Sequence, residues 1–188
     1  MQLILASTSP YRRALLQRLG MPFEQTSPDF EEAASGSMSP NELVKHNTLG
    51  KARSTLKCLP AATIIASDQV AVCGDIVLGK PGTVAKAEEQ LQLLSGQRVT
   101  FLTGLCLMDA NGYRYETIPY HVCFRQLSKD EISYYIEAEQ PLDCAGSFKS
   151  EGLGISLFEK MEGDDPTALI GLPLIRLSQW LRPLELRS

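Results

Sequence analysis

Short apolar runs along the chain predict buried strands, and longer stretches with a helical spacing of apolar residues predict helices. Residues 2–6 form the first run and predict a short buried strand. Residues 62–67 predict a second strand, which delivers Asp68 at its C-terminal end. Two tight turns predict hairpins between further strands, and their central residues are Gly74-Asp75 and Asn111-Gly112.

Capping residues mark the starts of the predicted helices. We expect helices to begin directly after Ser9, Ser39, Thr83 and Ser128. After Ser39 and Ser128, a glutamate three residues later completes the spacing of a capping box, and Pro173 opens the last predicted helix. Strands and helices alternate irregularly, which predicts an α/β fold with a mixed central sheet. The length suits a single domain spanning residues 1–188.

Composition narrows the class of protein. Hydrophobic residues make up 44% of the chain and charged residues 21%, as in a globular protein with a buried core. The formal net charge of -4 argues against non-specific binding to nucleic acid, although it permits a local basic pocket for an anionic substrate. The cysteines and the two histidines have no metal-binding spacing, so we do not expect a zinc site.

The N-terminal sequence does not match a signal peptide, because its apolar run is short and basic residues follow it. No segment approaches the ~20 apolar residues that span a bilayer. An odd number of cysteines without a disulfide framework suits a reducing compartment. We therefore expect a cytoplasmic protein with no membrane partner.

The first candidate site is the segment from Ser7 to Arg13, where a strand runs into a helix. Backbone N–H groups at a helix start attract anions, and the helix dipole adds to this attraction. Two hydroxyls and the two arginines Arg12 and Arg13 at the same place fit a polyphosphate. The alternative is a capped helix with two solvated arginines.

Two shorter candidates follow along the chain. Asp68, predicted just past the end of a strand and followed by Gln69, could hold a divalent cation or deprotonate a water. Lys80 lies between glycine and proline on a constrained loop that suits a phosphate contact. In isolation, Asp68 could instead cap or terminate a turn, and Lys80 could be a solvated loop lysine.

A glycine-rich segment at residues 145–154 is the fourth candidate. Its three glycines indicate backbone that must approach another group closely, either a ligand or a packed neighbour. Asp164 and Asp165, which follow it, are interpreted as turn formers and helix caps rather than as metal ligands.

Seven motifs in order give the chain a resemblance to the Maf family of nucleotide pyrophosphatases, from Leu3 to about Leu181. They are LASTSPYRR, Glu31-Glu32, Lys51 in GKA, SDQV, GKP, AGSFKSEGLG and GLPL. The resemblance implies an elongated fold of the inosine-triphosphatase-like (Maf/Ham1) type, with two intimate lobes and a cleft between them. It also implies dependence on a divalent metal cation (Mg²⁺ or Mn²⁺) and a homodimer.

The resemblance also assigns roles to residues. Asp68 takes the place of the family's catalytic aspartate, and Arg12, Lys51 and Lys80 take the places of the basic residues at its phosphate site. Glu32 matches an acidic residue that would assist Asp68 in metal binding. Ser7 matches the serine of the first motif and is expected to contact substrate.

Three departures indicate a particular branch. The branch that acts on uracil and thymine nucleotides has arginine, threonine and glutamine where this chain has Tyr11, Gln69 and Glu151. These three residues resemble the YceF-like branch, which acts on 7-methyl-GTP. A methylated guanine is positively charged, so an aromatic face such as Tyr11 attracts it. A carboxylate such as Glu151 can accept hydrogen bonds from the guanine N1–H and amino group.

Two other functions remain open from the sequence. One is the dTTP/UTP specificity of the sister branch. The other is a nucleotide-binding regulator of cell division that turns over slowly. Tyr11 could instead be a packing residue, and Glu151 could bind metal.

Overall fold

The computed structural model describes residues 2–33, 36 and 38–185, with side chains described as far as Arg182. None of the helices within these residues is long and apolar enough to cross a membrane. Two short 3-10 turns span Ala145–Ser147 and Leu153–Leu157. The elements follow the order β1 (Leu3–Ala6), α1 (Pro10–Gln17), β2 (Glu24–Thr26), α2 (Pro40–Cys58), β3 (Thr63–Cys73), β4 (Ile76–Leu78), α3 (Val84–Leu94), β5 (Arg98–Asp109), β6 (Gly112–Phe124), α4 (Lys129–Glu139), β7 (Phe158–Glu162), α5 (Pro166–Ile170) and α6 (Leu174–Glu185).

The strands form a mixed sheet. They follow the order β2-β1-β3-β5-β6-β7, and β4 pairs with β3. β1 is parallel to both β2 and β3, whereas β4 is antiparallel to β3 and β7 is antiparallel to β6. The prediction of an α/β fold with a mixed central sheet is therefore confirmed.

The chain divides into two compact units. The first comprises Met1–Gln69, Thr103–Ile118 and Asp165–Ser188, and the second comprises Val70–Leu102 and Pro119–Asp164. The strands β3, β5 and β6 each contribute residues to both units.

In the first unit, successive residues of β1 enter two different hydrophobic clusters. Leu3 and Leu5 join the cluster that contains residues of α1 and α6, whereas Ile4 and Ala6 join the cluster that contains residues of α2. Side chains of a strand alternate between the two faces of a sheet, so helices cover both faces here. A strand buried on both faces is apolar at every position, which is why residues 3–6 form an unbroken apolar run.

In the second unit, four phenylalanine rings pack edge to face. Their centroids lie 4.9 to 5.5 Å apart, and the four residues are Phe101, Phe124, Phe148 and Phe158. Such pairs contribute about 0.5–1.5 kcal/mol each beyond the apolar area that they bury. Phe148 belongs to the glycine-rich segment, so these ring contacts hold that segment on the core of the second unit.

The helix starts follow the prediction closely. Ser39 and Ser128 each form a complete capping box, and the side chains of Ser9 and Thr83 also accept backbone hydrogen bonds at their helix starts. The hairpin at Gly74-Asp75 is confirmed, because Cys73 and Ile76 pair on either side of it. The Asp165 side chain caps the start of α5, so its interpretation as a helix cap is confirmed.

The predicted position of Asp68 at the end of a strand is wrong. β3 continues for five residues beyond it to Cys73, so Asp68 lies inside the strand. The polar run Ser67-Asp68-Gln69 does not interrupt the strand because its side chains have polar partners. Ser67 Oγ, for example, lies 2.7 Å from the Gly104 carbonyl oxygen and 2.8 Å from that of Gly171.

Candidate functional site

An ion pair between Lys51 and Asp68 forms the centre of the candidate site. Lys51 Nζ on α2 lies 2.6 Å from Asp68 Oδ1 on β3, and the two side chains are only 6% and 10% exposed. The same Nζ atom lies 2.5 Å from Glu32 Oε1, whose side chain is 56% exposed. One buried ammonium thus joins a buried carboxylate to an exposed one.

Asn47 is the second contact of Asp68. It lies one turn before Lys51 on α2, so both side chains project from the same face of the helix. Its Nδ2 donates to Asp68 Oδ2 over 3.2 Å, while Lys51 donates to Oδ1. Each carboxylate oxygen of Asp68 therefore has its own donor from one helix.

The segment that carries Glu32 is held on α2 at two points. The Phe30 ring packs directly on Gly50, where a Cβ atom would overlap it, and its centroid lies 5.7 Å from that of His46. On the other side of Glu32, the Ala33 N–H donates to Asn47 Oδ1 over 2.9 Å. Gly50 is therefore required by close approach, and α2 serves as the platform for the acidic segment.

The start of α1 brings hydroxyl groups and a guanidinium together. Ser9 Oγ accepts from the Arg12 N–H over 3.3 Å, and Ser7 Oγ accepts from the Ser9 N–H over 3.2 Å. Arg12 Nε donates to the Gly171 carbonyl over 2.9 Å, and its Nη1 lies 3.4 Å from Ser7 Oγ. These contacts fix the Arg12 side chain against the GLPL motif rather than leaving it in solvent.

Electrostatics link Arg12 to the carboxylates. Burial lowers the pKa of the Arg12 guanidinium from its ordinary value, and the negative charges of Asp68 and Glu32 oppose that shift. An arginine with a lowered pKa is still cationic at neutral pH. The first unit therefore brings Arg12, Lys51, Glu32 and Asp68 into one charged cluster.

The remaining predicted residues of the first unit are arranged differently. Arg13 is exposed, and Tyr11 is half-buried on the first turn of α1. Gln69 Nε2 donates to Thr103 Oγ1 over 2.9 Å and to the Ala168 and Leu169 carbonyls over 2.8 and 3.1 Å. Its N–H groups hold α5, so the amide oxygen is the part of Gln69 that can face a ligand.

Lys80 and Glu151 belong to the second unit, and both are exposed there. The carbonyl of Gly79, next to Lys80, accepts from Gln90 Nε2 over 3.2 Å. Two residues of α4 hold the chain on either side of Glu151. The Tyr135 hydroxyl accepts from the Lys149 N–H and Glu139 Oε1 accepts from the Leu153 N–H, both over 2.9 Å.

Sequence reasoning missed the contact of Asn47 with Asp68 and the electrostatic effect of Asp68 on Tyr115. Asn47 was detectable as a polar residue one helical turn from Lys51, although asparagine at that spacing is also common on solvated faces. Tyr115, on β6, donates or accepts a 2.7 Å hydrogen bond with Thr117, and burial raises its pKa, to which the charge of Asp68 adds. No local pattern relates residue 115 to residue 68.

The oxygen atoms of Asp68 and Glu32 are of the kind that Mg²⁺ and Mn²⁺ prefer. Both carboxylates already converge on one cationic atom, Lys51 Nζ, so their placement fits a shared positive charge. Within residues 2–33, 36 and 38–185, no group of three or more His, Cys, Asp and Glu side chains is placed to hold a metal ion. A divalent cation at these two carboxylates would therefore take its other ligands from water and substrate.

The mixed sheet and its helices define an α/β protein with a HAM1-like fold. A HAM1 protein from Coxiella burnetii is 19% identical, with a TM-score of 0.50, over 80% of this chain and 88% of that one. A family model described as "Maf-like protein" matches residues 2–184, so the chain belongs to the Maf family.

Relatives with curated names are similar over almost the whole chain. The 7-methyl-GTP pyrophosphatase of Pseudomonas aeruginosa is 51% identical over 181 residues, which cover 95% of this chain and 94% of that protein. The 7-methyl-GTP pyrophosphatase of Alkalilimnicola ehrlichii is 52% identical over 181 residues, which cover 95% and 91%.

Proposed function

We propose that this protein hydrolyses 7-methyl-GTP to 7-methyl-GMP and diphosphate. The observation that carries the proposal is the charged cluster of Asp68, Lys51, Glu32 and Arg12. It combines a buried proton acceptor with two cations that can bind phosphate oxygens. Relatives that are about half identical over nearly the full chain are named for this reaction, which supports the choice of substrate.

In the proposed reaction, Asp68 accepts a proton from a water molecule. The oxygen of this water forms a bond to the α-phosphorus, and the bond from that phosphorus to the bridging oxygen of the β-phosphate breaks. Diphosphate leaves with the electron pair of the broken bond. Arg12 and Lys51 stabilise the negative charge that develops on the phosphate oxygens, and Ser7 and Lys80 supply further contacts to them.

Asp68 is suited to the acceptor role because of what surrounds it. Its residue is only 7% exposed, so bulk water does not compete with the reacting water. Its two oxygens accept from Lys51 and Asn47, which hold the carboxylate in one orientation. A carboxylate held in this way keeps its remaining lone pairs directed at a fixed point.

Recognition of the base is assigned to Tyr11, Gln69 and Glu151. Tyr11 offers an aromatic face for the cationic methylated ring, an interaction worth about 0.5–2 kcal/mol. Glu151 accepts hydrogen bonds from the N1–H and amino group, and the Gln69 amide oxygen offers another acceptor. Arg13 is proposed as an outer phosphate contact.

A divalent cation, Mg²⁺ or Mn²⁺, belongs to the same proposal, with Asp68 and Glu32 as its protein ligands. The cation would neutralise part of the negative charge of the triphosphate and would polarise the phosphate oxygens. A homodimer and a cytoplasmic location complete the proposal. Size-exclusion chromatography with light scattering tests the dimer.

The decisive experiment is a panel of nucleoside triphosphates that includes 7-methyl-GTP, GTP, UTP and dTTP, assayed for diphosphate release with Mg²⁺ or Mn²⁺. We expect the highest kcat/KM for 7-methyl-GTP. We also expect the folded Asp68→Asn variant, which keeps the shape but loses the charge, to lose most turnover. A preference for UTP or dTTP would assign the chain to the sister specificity, and binding without turnover would indicate a regulator.

A further inference from the structure

We infer that Asn47 is a positioning residue that fixes Asp68 and the Glu32 segment relative to each other. Asn47 is 3% exposed and lies on α2 between these two elements. Its side chain bonds to Asp68 Oδ2 and to both polar groups of the Ala33 backbone. The inference rests on the proposed function, because it assigns Asn47 to the reaction that Asp68 is proposed to catalyse.

The chemistry of the neighbours fixes the orientation of the amide. The Ala33 N–H is a donor and must face an acceptor, so Asn47 Oδ1 points at it over 2.9 Å. Asp68 Oδ2 is an acceptor and must face a donor, so Asn47 Nδ2 points at it over 3.2 Å. The same Nδ2 also lies 3.5 Å from the Ala33 carbonyl oxygen. If the amide were flipped, Asn47 Oδ1 would face the Asp68 carboxylate and the Asn47 Nδ2 hydrogens would face the Ala33 N–H. Both contacts would be repulsive, so the side chain has one stable orientation.

These bonds give Asn47 a role that Lys51 cannot fill. Lys51 contacts Asp68 through Oδ1 only, and its ammonium is a compact charge on a flexible stem, so it can follow the carboxylate as that group turns about its bond to Cβ. Asn47 holds the other oxygen and removes that rotation. A buried hydrogen bond to a charged group is strong enough to select one orientation.

Asn47 also completes the attachment of the acidic segment. Phe30 packs on Gly50 and His46 on one side of Glu32, and Ala33 is bonded to Asn47 on the other. Glu32 is largely exposed and pairs with Lys51, and these flanking attachments help to set where its carboxylate lies. Loss of the Asn47 amide would therefore loosen Glu32 and Asp68 together, although neither residue is changed.

The test compares Asn47→Leu with Thr55→Val. Leucine keeps the branched shape of asparagine and removes every hydrogen bond of its side chain. Thr55 is the matched control, because it is buried on the same helix and its Oγ1 has no hydrogen-bond partner within the described residues. Both variants replace a buried polar side chain of α2 by an apolar one, but only the first touches Asp68.

We expect Asn47→Leu to lower kcat for 7-methyl-GTP by about 10- to 100-fold, the scale of a small misplacement of a reacting group. KM should change by less than about threefold, because the phosphate-binding cations are untouched. Thr55→Val should keep the wild-type kcat. A folded Asn47→Leu protein whose kcat falls by less than about fivefold, or whose loss is shared by Thr55→Val, would overturn the inference. So would a loss that lies in KM alone.

A second measurement does not depend on activity. Hydrogen exchange of the Ala33 amide should be at least about tenfold faster in Asn47→Leu than in wild type, because this N–H loses its acceptor. Thr55→Val should leave it unchanged, and unchanged exchange in Asn47→Leu would refute the positioning role. If Asn47→Leu does not fold, Asn47→Ser replaces it, with the same expected results. Wild-type protein that releases no diphosphate would refute the proposed function, while the exchange rates would still decide the role of Asn47.

Discussion

Removal of the Lys51 charge should destabilise the protein far more than removal of an exposed lysine that makes an equally short ion pair. In Lys51→Met the side chain keeps a similar length, so packing changes little, but Asp68 loses its cation. Both side chains of this pair are almost completely buried, at 6% and 10% exposure. Water therefore cannot replace the lost ammonium.

The magnitude follows from this burial. Breaking a buried ion pair by removing one partner costs about 3–5 kcal/mol, because a charge is left uncompensated in the interior. We expect a value near the lower end, about 3 kcal/mol, since Asn47 still donates to Asp68. For a protein of this size that cost corresponds to a fall in Tm of roughly 6–12 °C.

The assay is thermal and urea unfolding of four variants against wild type, and Lys160→Met is the matched control. Lys160 Nζ lies 2.6 Å from Glu162 Oε1, the same distance as in the buried pair, but its side chain is 62% exposed. We expect little change in Tm for Lys160→Met, because solvent screens exposed pairs. The double variant Lys51→Met/Asp68→Asn should be more stable than Lys51→Met, because it removes the uncompensated charge as well.

Asp68→Asn alone should cost less stability than Lys51→Met. Lys51 retains Glu32 as an ion-pair partner in that variant. In Lys51→Met, Asp68 keeps the neutral Asn47 donor and the charge of Arg12, with which the described residues show no direct ion pair. Equal falls in Tm for Lys51→Met and Lys160→Met would refute the reasoning. The reasoning would also be refuted if the double variant lost as much stability as Lys51→Met and Asp68→Asn lose together.

The other predictions concern activity and local packing. Arg12→Ala should raise the activation free energy by about 1.5–3 kcal/mol, measured from kcat/KM, because it removes the charged hydrogen bonds that we propose Arg12 makes to phosphate; unchanged kcat/KM would contradict this. Gly50→Ala should lower kcat although alanine favours helix, because its Cβ would overlap the Phe30 ring and displace the Glu32 segment; full activity would contradict this. Glu151→Gln should lower the ratio of 7-methyl-GTP to UTP turnover, and a constant ratio would remove Glu151 from the specificity determinants.

Local sequence signals predicted the helix starts because their cause is local. Ser39 and Ser128 each bond to a residue three positions later, so the spacing in the sequence contains the whole interaction. The hairpin turn at Gly74 is similar, since its positive φ of 57° favours glycine.

The position of Asp68 within β3 could not be predicted in this way. A run of serine, aspartate and glutamine ends a strand unless partners from distant segments satisfy its side chains. Those partners are Lys51 for Asp68, Gly171 for Ser67 and Ala168 for Gln69, which are distant in sequence. Asn47 was missed because its spacing from Lys51 within α2 does not reveal the contact with Asp68 that makes it important.

The charge balance of the cluster gives a reason to expect a cation. Asp68 and Glu32 carry two negative charges, and Lys51 and Arg12 carry two positive ones, so the four side chains neutralise one another. A triphosphate brought to this cluster adds negative charge that Lys51 cannot compensate while it also pairs with both carboxylates. A divalent cation on the carboxylates would release the ammonium toward phosphate.

Cation and nucleotide should therefore bind cooperatively, and by linkage each should tighten the other by the same factor. Calorimetric titration with Mn²⁺ alone, a non-hydrolysable triphosphate analogue alone, and each in the presence of the other measures that factor. Glu32→Gln should reduce it, because one carboxylate ligand is lost while Lys51 keeps Asp68. Independent binding of the two ligands would show that Lys51 is not shared between the carboxylates and the phosphates.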